Sequence, residues 1–242
     1  MMPMNVDAEG CITTLPARPV ATPFAALVDA AREGLAATGL LHSLDLYGSV
    51  ASGAGLPFRS DLDLCLMLRQ PPSAAVRQRL ETLCRQLAQR WPVVSKVDLG
   101  WLGDLEGRQG LAWRYWLKHH CVHLDGVDLG PALPRCRPSR ALAWAVNGDV
   151  LKALEQYDRR LLAAGDCAEV LRWQRQAAGK LIRSIHVLRN DDDRDWPISL
   201  AQHRQWLTRT WPQQTLALDY FMQQAQQPVV DVVPFRQRLA AL

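Results

Sequence analysis

Residues 60–68, Ser-Asp-Leu-Asp-Leu-Cys-Leu-Met-Leu, constrain the fold more than any other segment of this 242-residue chain. Leucine recurs at every second position from Leu62 to Leu68, which is the period of a β-strand with one buried face. Asp61 and Asp63 occupy the alternate positions, so both carboxylates project from the opposite side of the sheet. Two like charges this close repel each other, and a hard divalent cation with oxygen ligands relieves the repulsion. The segment therefore predicts a strand that carries a metal-binding carboxylate pair.

A turn of small residues precedes this pair. Residues 43–47 predict a short strand, and Gly48 and Ser49 follow it directly. Glycine at that point allows the backbone to approach a ligand closely. If a helix begins there, its free N–H groups form a seat for phosphate. Arg59, just before the acidic pair, either contacts phosphate or pairs with Asp61.

A third acid follows on the next predicted strand, residues 93–102. Alternation places Asp98 on the polar face of that strand, opposite the apolar residues Val97, Leu99 and Trp101. On a neighbouring strand Asp98 would join the acidic pair and either ligate a second ion or accept a proton from an attacking hydroxyl. The arrangement suits one or two Mg²⁺ ions held between carboxylates and substrate phosphates.

Taken together, these features resemble the DNA polymerase β-type nucleotidyltransferase superfamily, with its Gly-Ser turn, a spacer, Ser-Asp-x-Asp and a third acid on a later strand. The residues that carry the resemblance are Gly48, Ser49, Ser60, Asp61, Asp63 and Asp98. The spacer is slightly longer than in most members. The resemblance implies that the three aspartates are catalytic and bind Mg²⁺, that the Gly-Ser turn and Ser60 bind the nucleotide, and that ATP or another nucleoside triphosphate is the co-substrate.

The order of elements is most similar to that of the aminoglycoside adenylyltransferases that act on streptomycin and spectinomycin. Helices are predicted at residues 23–40, 73–90, 111–120, 139–163, 167–189, 199–210 and 213–226. We therefore expect an α+β fold, in which a small mixed-sheet nucleotidyltransferase domain precedes a C-terminal helical bundle domain. Three parts are expected: a flexible N-terminal segment, the catalytic domain and the helical acceptor-binding domain, at residues 1–21, 22–134 and 135–242.

Charged residues of the helical part have alternative interpretations. Lys180 and Arg183 are spaced to share one helical face. They either contact the nucleoside triphosphate, as basic residues of the second domain do in similar enzymes, or form a solvated basic face. The acidic run at residues 191–193 either binds a cationic acceptor or is an exposed loop tip.

Composition narrows the class of protein. The net charge of +4 is only mildly basic, which fits anionic ligands such as nucleotides but does not argue for nucleic-acid binding. No stretch approaches the roughly 18 apolar residues of a membrane span, and the cysteines form no CxxC pair, so we expect a cytoplasmic protein with reduced thiols. A histidine-rich segment lacks the second paired cluster of a structural zinc site, so surface or packing roles are expected for His119, His120, Cys121 and His123.

Three functions remain open. The first is an enzyme that transfers a nucleoside monophosphate, AMP from ATP, to a hydroxyl of a small acceptor and releases pyrophosphate; an aminoglycoside-like antibiotic is the leading acceptor. The second keeps this chemistry but uses a protein side chain or an RNA end. The third is a non-catalytic nucleotide-binding or antitoxin module, which ranks lowest because the acidic pair and a candidate third acid are all present.

Overall fold

The computed structural model describes residues 3–16, 18–57, 60–91, 95–107 and 110–240, excluding the side chains of Ser95 and Lys96. The chain divides into two compact units. The sheet unit is Ile12–Cys136, and the helical unit is Met1–Cys11 together with Arg137–Leu242. The expected N-terminal segment, residues 1–21, is thus divided between the two units. The flexibility of this segment and the expected domain boundary at residue 134 stay predictions. Within the described ranges, no helix combines the length and hydrophobicity needed to cross a membrane.

The sheet unit is built on a mixed sheet, as the sequence predicts. In its described residues the strands are β1 (Leu41–Tyr47), β2 (Leu62–Leu68), β3 (Ser95–Trp101) and β4 (Val122–Gly126), arranged in the order β3-β2-β1-β4. Strand β1 is antiparallel to both β2 and β4, whereas β2 and β3 are parallel. A crossover helix must therefore join β2 to β3.

Helices and helical turns pack against both faces of this sheet. They include α1 (Thr22–Ala36), α2 (Gly48–Ala51), α3 (Ala74–Arg90) and α4 (Leu111–Tyr115), with a 3₁₀ turn at Leu102–Leu105 and a π-helical turn at Trp116–His120. The crossover helix α3 begins at Ser73, whose hydroxyl accepts the N–H of Val76. The leucines of β2 are 0–4% exposed and pack with apolar residues of α1 and α3. This confirms the direction predicted for the buried face of β2.

Strand β4 was not predicted. The local signal is weak there, because Val122–Gly126 is short and is followed closely by glycines and prolines. Pairing with β1 overrides this weak local signal, since the backbone groups of β4 find partners along the edge of an existing strand.

The helical unit contains α5 (Arg140–Asn147), α6 (Val150–Leu162), α7 (Cys167–Ser184), α8 (Leu200–Thr210), α9 (Thr215–Gln226) and α10 (Val233–Ala240), with 3₁₀ turns at Ile185–Leu188 and Pro212–Gln214. The helix predicted at 139–163 is wrong in one respect, because it is broken into α5 and α6 at Gly148 and Asp149. Helix α10 was missed because it is short and contains a proline. The predicted α+β fold with a C-terminal helical region is confirmed.

Candidate active site

The register of the sheet brings Asp63 and Asp98 onto one face. Cys65, two residues after Asp63 on β2, lies opposite Asp98 on β3. Residues opposite each other in register point to the same side, and so do residues two apart on a strand. The other face of β3 carries Val97, Leu99 and Trp101, which pack against the leucine core. Asp98 therefore lies on the same side as Asp63, offset by one step, as alternation predicts.

Asp61 directly precedes β2. If the alternation of side chains in β2 continues to the preceding residue, the carboxylate of Asp61 lies on the same side as that of Asp63, opposite the buried Leu62. Asp61, Asp63 and Asp98 are each half-buried. Each of the three carboxylates is thus partly exposed to solvent.

Gly48 joins β1 to α2 in a conformation that glycine favours. Its φ is 77°, in the left-handed region. A Cβ built at this position would approach Oδ2 of Asp63 to less than 3.0 Å, which real Cβ atoms essentially never show. The backbone of Gly48 therefore lies directly against one carboxylate of the pair. Ser49 is the second residue of α2, so the short helix begins at the predicted Gly-Ser turn.

Tyr47 belongs to the same group of side chains, although the sequence did not suggest it. It lies opposite Asp63 in the β1–β2 register, and its hydroxyl donates a hydrogen bond to Oδ2 of Asp98. Burial first, and then the negative charges of Asp98 and Asp63, raise the pKa of Tyr47 far above its ordinary value. The hydroxyl is therefore a permanent donor. Its ring also contacts Trp116, at a centroid distance of 5.5 Å.

Ser60 closes the loop that leads into β2. Its backbone N–H donates to the carbonyl of Leu56, and its hydroxyl accepts the N–H of Leu56, both at 2.9 Å. These bonds fix the backbone immediately before Asp61. Arg59, predicted to contact phosphate or Asp61, lies outside the described residues. The nucleotide-binding roles of Ser60 and Arg59 stay predictions.

Lys180 and Arg183 lie on α7 of the helical unit. Nζ of Lys180 is 2.6 Å from Oδ1 of Asp149 and 3.5 Å from Oδ1 of Asn147. Lys180 is therefore engaged within its own unit, while Arg183 is exposed. Contact of either residue with a nucleotide stays a prediction.

The acidic run of the helical unit is bonded internally. Asp191 accepts the N–H of Arg140 at 3.1 Å, and Asp193 accepts the indole N–H of Trp206 at 2.5 Å. Asp195 forms an ion pair with Arg209 at 2.6 Å. A cavity of about 290 Å³ is lined by Asn190, Asp193, Asp195, Trp206, Arg209 and Thr210. The carboxylates beside it are partly neutralised, so a strongly cationic ligand is not favoured there.

His119 and His120 are packing residues, as expected. They are 0% and 4% exposed, and burial lowers the pKa of His119 to about 4 and that of His120 to about 3. His119 accepts the N–H of Cys136 through Nε2 at 2.9 Å. Both rings are therefore neutral near pH 7.

Comparisons with known proteins support the fold. No family model matches the chain, and no curated protein matches it significantly in sequence. Among solved structures, the chain is similar to the spectinomycin adenyltransferase AAD(9) from Enterococcus faecialis, which was crystallised with ATP and spectinomycin. The TM-score is 0.62 at 13% identity, and the match covers 89% of this chain and 95% of that chain. The chain therefore has a nucleotidyltransferase fold that resembles that of aminoglycoside adenylyltransferases.

Proposed function

We propose that this protein is a nucleotidyltransferase that transfers AMP from ATP to a hydroxyl of a small-molecule acceptor and releases pyrophosphate. The observation that carries the proposal is the sharing of one sheet face by Asp63 and Asp98, with the Gly48 backbone against Asp63. This arrangement occurs in a chain whose fold is similar to that of an adenyltransferase. Phosphoryl chemistry of this kind depends mainly on positioning and on electrostatic stabilisation.

The donor set fits Mg²⁺. Asp61, Asp63 and Asp98 offer carboxylate oxygens only, the ligands that Mg²⁺ prefers, and all three are half-buried. Mg²⁺ bound there would polarise the phosphoryl group and balance the charge of the departing pyrophosphate. Without a cation, the mutual repulsion of the carboxylates would oppose their common placement on one face.

The positions of the other candidate residues suggest what each would do in the reaction. The backbone N–H groups at the start of α2, at Gly48 and Ser49, would bind a phosphate of the nucleotide. Asp98 would accept the proton of the acceptor hydroxyl as that oxygen attacks the α-phosphorus. Tyr47 would fix the orientation of Asp98 through its hydrogen bond to Oδ2. Lys180 and Arg183 are the candidates for contact with the triphosphate from the helical unit.

An aminoglycoside-like antibiotic is the first acceptor to test. The support is that the similar enzyme AAD(9) is a spectinomycin adenyltransferase. A protein side chain or an RNA end as acceptor would require the same catalytic face. Antibiotic resistance would be the biological consequence of the first alternative.

The test is a transfer assay with Mg²⁺ and ATP labelled at the α-phosphate. The purified chain is incubated separately with aminoglycosides and spectinomycin, with RNA, and with cell lysate. We expect label on a small molecule, with stoichiometric release of pyrophosphate. Label that appears only on a protein band or on RNA would contradict the small-molecule acceptor. ATP binding without transfer in any arm would contradict the enzymatic function and favour a nucleotide-binding module.

A further inference from the structure

A second group of polar side chains lies on the same sheet face, near its other edge. Asp45 on β1 lies opposite His123 on β4, and Asp128 follows β4 closely in the chain. Each of the three residues offers one potential ligand atom, and these three atoms all lie within 4.8 Å of one another. The β1–β4 register shifts between Leu44 and Asp45, where such an irregularity re-aims the side chains. The proposed catalytic reaction uses none of these three residues.

The distance between the side chains of Asp45 and His123 bears on whether they could bind one ion. Oδ1 of Asp45 lies 3.3 Å from Nδ1 of His123. A charge-assisted hydrogen bond between such groups is usually shorter, about 2.7–2.9 Å. Two ligand atoms, each about 2.0–2.1 Å from a tetrahedral ion, are separated by about 3.3–3.4 Å. The observed distance lies within hydrogen-bonding range and is also compatible with two ligands of one ion.

Hydrogen bonds orient the two carboxylates. The hydroxyl of Ser43 donates to Oδ2 of Asp45 at 2.7 Å, which leaves Oδ1 directed at His123. Oδ1 of Asp128 accepts the N–H of Gly130 at 3.0 Å, which fixes the second carboxylate. Partners of this kind, which hold ligands in place, are usual around protein metal sites.

The charge balance of the group also favours a cation. Asp45 is 3% exposed, and a second carboxylate, that of Asp128, belongs to the same group. A buried carboxylate beside a second carboxylate is stabilised by a positive charge between them. His123 and Asp128 are more exposed, with a side-chain exposure of 27% for His123, so an ion can enter from solvent.

We propose that Asp45, His123 and Asp128 bind a divalent cation of the Zn²⁺ class. The imidazole nitrogen favours Zn²⁺, Co²⁺ or Ni²⁺ over Mg²⁺, which prefers an all-oxygen set. Three protein ligands leave a fourth tetrahedral position for water. The ion would join the edge strand β4 to β1 and so stabilise the strand that ends at Tyr47, directly before Gly48.

The test uses the untagged 242-residue chain with the Asp61→Asn and Asp63→Asn substitutions, which remove two of the proposed Mg²⁺ ligands. After dialysis against a chelator, Zn²⁺ is titrated in competition with a chromophoric chelator, and the visible bands of Co²⁺ report the coordination. We expect one equivalent to bind, with His123→Gln and Asp128→Asn each weakening the affinity about tenfold or more. Asp125→Asn, on the same strand but outside the group, is the control and should bind as the parent does.

Two results would overturn the proposal. One is the absence of stoichiometric binding in the parent protein, which would leave Asp45 and His123 as a hydrogen-bonded pair without a metal. The other is binding that neither His123→Gln nor Asp128→Asn weakens, which would place the ion elsewhere. Asp128 is exposed, so its substitution tests the ligand set without burying a new group. The Co²⁺ spectrum separately reveals any binding through a thiolate.

Discussion

Substitution of Gly48 by alanine should separate backbone strain from damage to the active site. Gly48 has a φ of 77°, and an L-residue held in this left-handed region costs about 1–2 kcal/mol. A Cβ at this position would also approach Oδ2 of Asp63 to less than 3.0 Å, where ordinary contact begins at 3.4 Å. The carboxylate must therefore retreat by something of the order of 1 Å.

The expected effect on catalysis is larger than the effect on stability. Misplacing a catalytic group by about 1 Å costs about a hundredfold in rate. Gly48→Ala should therefore lower the rate of AMP transfer about a hundredfold, while the free energy of unfolding falls by only about 1–2 kcal/mol. The two quantities are measured by single-turnover transfer of labelled AMP and by urea denaturation.

Gly39 provides the matched control. Its φ is 69°, close to that of Gly48, but a Cβ built there has no atom within 4 Å among the described residues. Gly39→Ala should thus lower the free energy of unfolding by a similar amount and leave the transfer rate unchanged. Transfer of AMP at the parent rate by Gly48→Ala would refute a role of the Gly48 backbone in placing Asp63. An equal loss of activity in Gly39→Ala would refute it as well.

Three further predictions follow from contacts of single side chains. Tyr47→Phe removes the hydrogen bond to Asp98 and should lower kcat about tenfold with little change in KM for ATP, which steady-state kinetics will check. Burial lowers the pKa of His120 to about 3, so between about pH 6.5 and pH 3 the unfolded chain binds a proton at this residue that the folded chain does not. The free energy of unfolding should therefore decline as the pH falls below about 6.5. His120→Phe should reduce that decline, which urea titrations at about pH 7 and about pH 5 will measure. Gln224→Ala removes the 2.6 Å hydrogen bond from buried Gln174 and should lower the free energy of unfolding by about 1–3 kcal/mol, whereas an unchanged value would contradict the cost assigned to that group.

Local periodicity accounts for what the sequence predicts correctly. The leucines of β2 and the apolar residues of β3 each specify a buried face by alternation, so the directions of Asp63 and Asp98 follow from single strands. The position of Ser73 before α3 is equally local, since a helix N-cap is recognised by residue type.

The features that were missed depend on pairing between distant segments. The hydrogen bond from Tyr47 to Asp98 requires β1, β2 and β3 to be adjacent in one register, which the sequence of each strand does not specify. Strand β4 forms only because β1 offers an edge, and the approach of His123 to Asp45 depends on that strand. These contacts form only when distant segments assemble into one sheet, so local residue preferences do not predict them.

We infer that the carboxylates of Asp61 and Asp63, at the start of β2, drive nucleotidyl transfer. The most direct measurement is the rate of AMP transfer by Asp63→Asn at saturating Mg²⁺, compared with the parent and with Glu81→Gln, an exposed carboxylate-to-amide control on α3. We predict a loss of about a thousandfold or more for Asp63→Asn, with its folding and circular dichroism unchanged, and no loss for Glu81→Gln. Transfer by Asp63→Asn at the parent rate would contradict a catalytic role of this carboxylate.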